Sequence, residues 1–149
     1  MWLRLILSTA ILYMLALGCG QEPEPPDPGD AVYAADFTPG RLVYATVSCD
    51  RFLTHAILSL SRRVHSFDLS VNLTDDCSRS GGGFAFGQVL VLGTYAATDT
   101  LVSFTPTSGA TPPFTAGFDG TYMRVTLPAR SDSLAATPIM LQLGPRQPF

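Results

Sequence analysis

A chain of 149 residues that is 46% hydrophobic and only 14% charged is one domain's length and carries enough apolar material for a core, which excludes wholesale disorder. Its formal net charge is −3, and all nine of its basic residues are arginines scattered along the chain. Such a balance offers no basic face for nucleic acid and no cluster for docking on anionic lipid.

The N-terminus opens with Met1-Trp2-Leu3-Arg4, one positive charge before a nearly unbroken apolar run over residues 5–17. That length suits the apolar region of a signal peptide and is short for a membrane span. The run closes on Ala16-Leu17-Gly18-Cys19. This resembles the lipobox of bacterial lipoproteins, in which a small residue precedes the cysteine that becomes acylated. Gly18 fits that position; Ala16 and Leu17 stand where the pattern more often has Leu and then a small residue. The resemblance implies a signal peptide over residues 1–18, cleavage after Gly18 and a diacylglycerol on the Cys19 thiol. It also implies the outer membrane as destination, because Gly20 and not Asp follows the cysteine. Loss of Arg4 with the leader takes the net charge from −3 to −4. The alternative is a plain secretory signal or a membrane anchor, with Cys19 incidental.

Residues 20–30, Gly-Gln-Glu-Pro-Glu-Pro-Pro-Asp-Pro-Gly-Asp, hold nothing to bury. A stretch so rich in proline and acid stays extended and solvated, as a tether or, alternatively, a proline-rich partner motif. The expected division is therefore signal peptide 1–18, lipidated Cys19 and disordered linker over 19–36, and a folded domain over 37–149. Three cysteines are an odd number for an exported chain. With Cys19 acylated, Cys49 and Cys77 remain, and an oxidising compartment pairs them. A metal or redox role has no support, since no CxxC spacing occurs.

From there the chain reads as short strands between turn residues. Residues 41–47 form a plausible first strand. Residues 50–63 are ambiguous: Phe52, Leu53, Ala56, Ile57 and Leu60 fit a helix face with Asp50 as cap, whereas Phe52, Ala56, Leu58 and Leu60 fit a strand, the preferred reading. Over 66–74 the alternation is strict, Phe67, Leu69, Val71 and Leu73 against Asp68, Ser70, Asn72 and Thr74. Residues 76–83 make a glycine-rich hairpin tip. Over 84–95, Phe84, Phe86, Leu90 and Leu92 oppose Val89, Val91 and Tyr95, with Gly87 and Gly93 as expected bulges or bends. Strands follow at 101–105 and 114–118, then an Asp119-Gly120 turn. Met123, Val125 and Leu127 mark a strand within 121–128, and Ile139, Leu141 and Leu143 another.

Seven or eight such strands predict an all-β fold, a small antiparallel up-and-down barrel or a two-sheet sandwich. The succession Gly93-Thr94-Tyr95, Asp99-Thr100-Leu101-Val102-Ser103-Phe104 and Phe118-Asp119-Gly120-Thr121 resembles the small lipocalin-like domains of bacterial lipoproteins. That resemblance covers residues 84–127 and implies the barrel. An immunoglobulin-like sandwich is the rival, although the single tryptophan, Trp2, lies in the leader and leaves none to pack on the disulfide.

Candidate chemistry is sparse. His55 and His65 have no recognised ligand spacing; joined by Asp68 or Asp50 they would make a zinc site, but rim histidines are the simpler reading. Asp75-Asp76 lacks calcium-loop spacing, Asn72-Leu73-Thr74 matches a glycosylation pattern without meaning in a bacterial lipoprotein, and Arg62-Arg63 reads as solvent-facing. No catalytic signature, phosphate loop or cofactor motif occurs. The expected function is therefore non-catalytic, with no cofactor: a lipid-anchored envelope protein that binds a small apolar ligand or an envelope partner. The alternative is a structural or interaction lipoprotein with a filled core. The interior decides between them, for Phe67, Leu69, Phe84, Phe86 and Phe104 either fill it or line a cavity.

Overall fold

A computed structural model describes residues 30–98, 100–107, 111–129 and 138–146. Residues 1–29, which include the expected signal peptide, Cys19 and most of the expected tether, lie outside the described residues. Eight strands follow in order: β1 (Ala31–Ala45), β2 (Asp50–Ser61), β3 (Ser66–Asp76), β4 (Phe84–Thr98), β5 (Leu101–Pro106), β6 (Phe114–Phe118), β7 (Met123–Leu127) and β8 (Ile139–Arg146). Each pairs antiparallel with the next, and β8 returns to β1 through Val32–Ala34 to close the barrel. The up-and-down barrel is thus the fold, and the sandwich is set aside.

Three local differences from the sequence reading have physical causes. β1 begins at Ala31, inside the stretch read as linker, because Ala31–Asp36 pair with Leu60–His55 and Tyr33 turns into the core. Residues 50–61 are strand, with a break in register between Leu53 and His55. The extra residue there puts Leu53 and then Ala56, Leu58 and Leu60 inward. A three-residue step in an alternating strand imitates helical spacing, which is why the segment was ambiguous. Gly87 and Gly93 are not bulges, since the β3–β4 register runs unbroken from Ser66 opposite Thr94 to Asp76 opposite Phe84. Gly93 instead marks a close approach. A Cβ built there would lie 2.6 Å from Phe67 Cε1 and 2.2 Å from the Thr105 carbonyl oxygen.

Alternation sends one face of every strand inward, and no buried residue among those described is charged or strongly polar. At mid-barrel Phe67, Phe104 and Phe114 interlock, with ring centroids 4.9 Å apart for Phe67–Phe104 and for Phe104–Phe114. Leu53, Leu58, Leu69, Met123, Leu141 and Leu143 complete the packing. Apolar inside and largely polar outside is the reverse of the pattern in transmembrane barrels. The strands are unequal. β1 to β4 have 15, 12, 11 and 15 residues, whereas β5 to β8 have 6, 5, 5 and 8. At the end that carries the β1–β2 and β3–β4 connections, the four long strands therefore project past the short ones as a ribbon.

Candidate functional site

The ribbon is held at its tip by cross-links instead of a core. Asp50 lies opposite Asp76 at the end of the β2–β3 pairing. The next residues out, Cys49 and Cys77, therefore face each other, and they form a disulfide with Cα atoms 4.1 Å apart. One step inward Arg51 lies opposite Asp75 on the concave face. Its guanidinium donates two parallel hydrogen bonds to the carboxylate, Nε to Oδ1 at 2.6 Å and an Nη to Oδ2 at 2.7 Å. That fork holds the Asp75 carboxyl below the usual carboxylate range, and the Arg51 guanidinium correspondingly holds its proton more tightly. Arg79 from the 3-10 turn Ser78–Ser80 pairs with Asp50. Ser78, through its hydroxyl and its N–H, keeps the Asp76 carboxyl below its ordinary value. Asp75 and Asp76 are therefore the end of a strand, tied down by named partners.

Pairing register defines the outer face. Leu42, Phe52, Thr74 and Phe86 form one row across β1 to β4, and Ala34, Ile57, Ser70 and Leu90 another. β3 contributes polar residues to this face, whereas β4 contributes Phe84, Phe86, Leu90 and Leu92. All four of these are exposed, Phe84 to 66% and Phe86 to 85%. Of the five residues whose alternation allows an interior position, Phe67, Leu69 and Phe104 lie inside, and Phe84 and Phe86 lie outside. Gly93 decides the matter, because it passes against Phe67 and shares its face with Val89, Val91 and Tyr95.

The histidines are not brought together. His55 sits mid-strand on the outer face of β2, its Nδ1 2.5 Å from Asp36 Oδ1. His65 closes the β2–β3 turn in the left-handed region, φ 50°, and its carbonyl accepts a hydrogen bond from the Tyr95 N–H. Neither Asp50 nor Asp68 completes a ligand set, and among the described residues no three His, Cys, Asp or Glu side chains gather as a metal site would need. Asn72 pairs with His55 and Gln88 inside the sheet. The Arg62 N–H donates to Asp30 Oδ1 at 2.5 Å, tying the chain's entry to the β2–β3 turn.

No protein-family model, curated protein or solved structure matches this chain. What it can bind is therefore read from shape. Between the barrel wall and the loops near Thr111 and Pro128 lies a void of about 10 Å³ lined by Leu69, Val71, Val89, Val91 and Leu127. That is the volume of a single water molecule and no room for a drug-sized ligand. Larger depressions, of about 540 and 700 Å³, lie at the opposite end, one lined by Leu60, Phe67, Leu92 and Gly93 and one by Asp30, Tyr33, Leu60 and Arg146. Among the described residues the distinctive surface is thus the projecting ribbon, with its apolar outer column on β4.

Proposed function

We propose that this protein is an exported lipoprotein of the bacterial envelope, freed of residues 1–18 and acylated on Cys19, whose barrel is a non-catalytic module for protein contacts. The observation that carries the reading is the Cys49–Cys77 disulfide. It uses two of the three cysteines and leaves as the odd one the cysteine that ends the leader pattern. A structural disulfide fits an oxidising compartment, which an exported chain reaches and a cytosolic one does not. Gly20 after the cysteine favours the outer membrane, and residues 20–30 serve as the tether from lipid to barrel. Between the two uses of the barrel, the packed interior favours a protein partner over a ligand held in the lumen, for Phe67, Phe104 and Phe114 occupy the space a ligand would need.

Intact mass of the membrane-extracted protein, with and without reductant, tests the reading. The expected species lacks residues 1–18, carries a diacylglycerol and gains two hydrogens on reduction. The Cys19→Ala variant accumulates as unprocessed precursor. A leader still attached to the finished molecule, or a free thiol at Cys19, refutes the lipoprotein reading. A small apolar molecule held stoichiometrically in a native mass spectrum would move the function to ligand binding.

A further inference from the structure

We infer that the upper half of β4 is a self-association edge, at which two copies of this chain pair antiparallel through Phe84, Phe86 and Gln88. The inference is independent of how the protein is anchored, since it rests on strand pairing alone. β4 meets β3 over its whole length, from Asp76–Phe84 to Ser66–Thr94, but meets β5 only from Gly93, opposite Pro106, to Thr98. In the half of β4 that precedes Gly93, the last tie on the β5 side among the described residues is the Thr107 N–H donating to the Leu92 carbonyl. The Tyr95 N–H points the other way, to His65 on the β2–β3 turn. In-plane groups alternate along an antiparallel strand, so Tyr95, Gly93, Val91, Val89, Gly87 and Ala85 address β3. Phe84, Phe86 and Gln88 address the opposite edge, where no described strand pairs with them.

Such an edge is a template for another strand. Three observations make that strand a second copy. First, residues 80–98 contain no charged side chain, so nothing repels an identical edge, and the inward charges, Pro and bulges that usually block edge pairing are missing from this stretch. Secondly, the stretch is self-complementary. Centred on Phe86, antiparallel pairing sets Phe86 against Phe86 and Phe84 against Gln88, with the side chains on the outer face as one aromatic cluster. Thirdly, apolar area is available. With exposures of 66% and 85%, the two phenylalanines of both copies offer up to about 600 Å² to the contact. Leu90, itself 54% exposed, and the newly paired backbone add to this toward the roughly 1,000 Å² that a specific interface needs. A lipid surface does not fit this site, because acyl chains leave the edge N–H and C=O groups without partners.

The test uses the full chain with a photo-reactive benzoylphenylalanine at position 86, irradiated in the producing cells. A product of twice the mass, whose joined peptides are both from residues 84–92, is expected; the same probe at Ile57, on the outer face of β2, gives none. In parallel, the detergent-extracted full chain is sedimented under density matching. It is expected as a dimer at about 10 μM, with Phe86→Glu and Gln88→Pro each raising the dissociation constant at least about tenfold, or about 1.4 kcal/mol. Gln88→Pro removes an N–H that points to the open edge and keeps the backbone pairing with β3, losing there only the side-chain hydrogen bond that Gln88 Nε2 donates to Ser70 Oγ. A wild-type chain monomeric to about 100 μM, both variants associating like wild type, or a probe at position 86 that joins only some other protein overturns the inference.

Discussion

The sharpest consequence of the packing falls on a pair of glycines in one strand. A Cβ at Gly93 would stand 2.2 Å from the Thr105 oxygen, 2.6 Å from Phe67 Cε1 and 2.8 Å from Pro106 Cα, whereas a Cβ at Gly87 meets nothing within 4 Å. Two of the three atoms crowding Gly93 are backbone, so no rotamer change relieves them; the Phe67 ring is itself wedged between Phe104 and Phe114. Overpacking a core costs about 1–3 kcal/mol, and the fixed neighbours put Gly93→Ala at the upper end, about 3 kcal/mol. For a folded domain of roughly a hundred residues this lowers the melting temperature by about 12–15 °C. Gly87→Ala, on the same strand and face, stays within about 1 kcal/mol of wild type and tends to stabilise, since alanine restricts the unfolded chain. Thermal and urea unfolding followed by circular dichroism, disulfide intact, measures both. Equal melting temperatures for the two variants would refute the argument that β4 crosses the core at Gly93 with no room for a side chain.

Two further outcomes concern the ribbon. Cys49→Ser opens a bridge between residues 28 apart in sequence. In the chain-entropy model that costs about 3.5 kcal/mol, and reduction of the wild type should reproduce the fall in melting temperature; an unchanged melting curve would show that the bridge contributes nothing. Asp75 has a folded-state pKa below its unfolded value, because Arg51 bonds the carboxylate. The folded state thus binds fewer protons, so the stabilisation is complete above the ordinary carboxylate pKa of about 4 and is lost as pH falls through the lowered folded value. Both side chains are about a quarter exposed, 28% and 27%, so Arg51→Met costs at most about 1 kcal/mol at pH 7. Urea midpoints at pH 7 and at pH 3 check this. The gap between variant and wild type should narrow in acid, and a gap that widens would contradict the sign.

Much of the architecture was legible because strand alternation is a direct image of burial. Residues 66–74, 123–127 and 139–143 carry their inward faces openly, and the turn at Asp119-Gly120 is the β6–β7 connection, with Gly120 at φ 90°. What escaped has definite reasons. A register break near Thr54 turned a strand's period locally into a helix-like step. In residues 84–95 both faces are apolar, so alternation separates Phe84 and Phe86 from Val89 and Val91 without saying which set is inside. That depends on Gly93 lying against Phe67, a tertiary fact. The Arg51–Asp75 fork had no local signal, because its partners are 24 residues apart and meet only through the β2–β3 register. The cysteine pairing was accessible to counting; that the two residues extend that same register by one step was not.

The tip of the ribbon and the outer column of β4 belong to one argument about energy. A phenylalanine that leaves 85% of its surface in water contributes little to the fold, unlike Phe104 at 1%. The hydrophobic effect within one copy therefore does not account for Phe86, nor for an ordered strand there. Order at that height comes from other sources: a disulfide, a forked ion pair and the Arg79–Asp50 pair, all within a few residues of the tip. These hold β2 and β3 rigid, and β4 is ordered by pairing along β3. The result is an apolar strand presented in extended form, paired along β3 on one side only. A strand prepared in this way gives up little conformational entropy when it pairs, and the entropy of ordering is the main term that opposes edge-to-edge association. The cross-links at the tip thus act on the affinity of the edge as much as on the stability of the barrel.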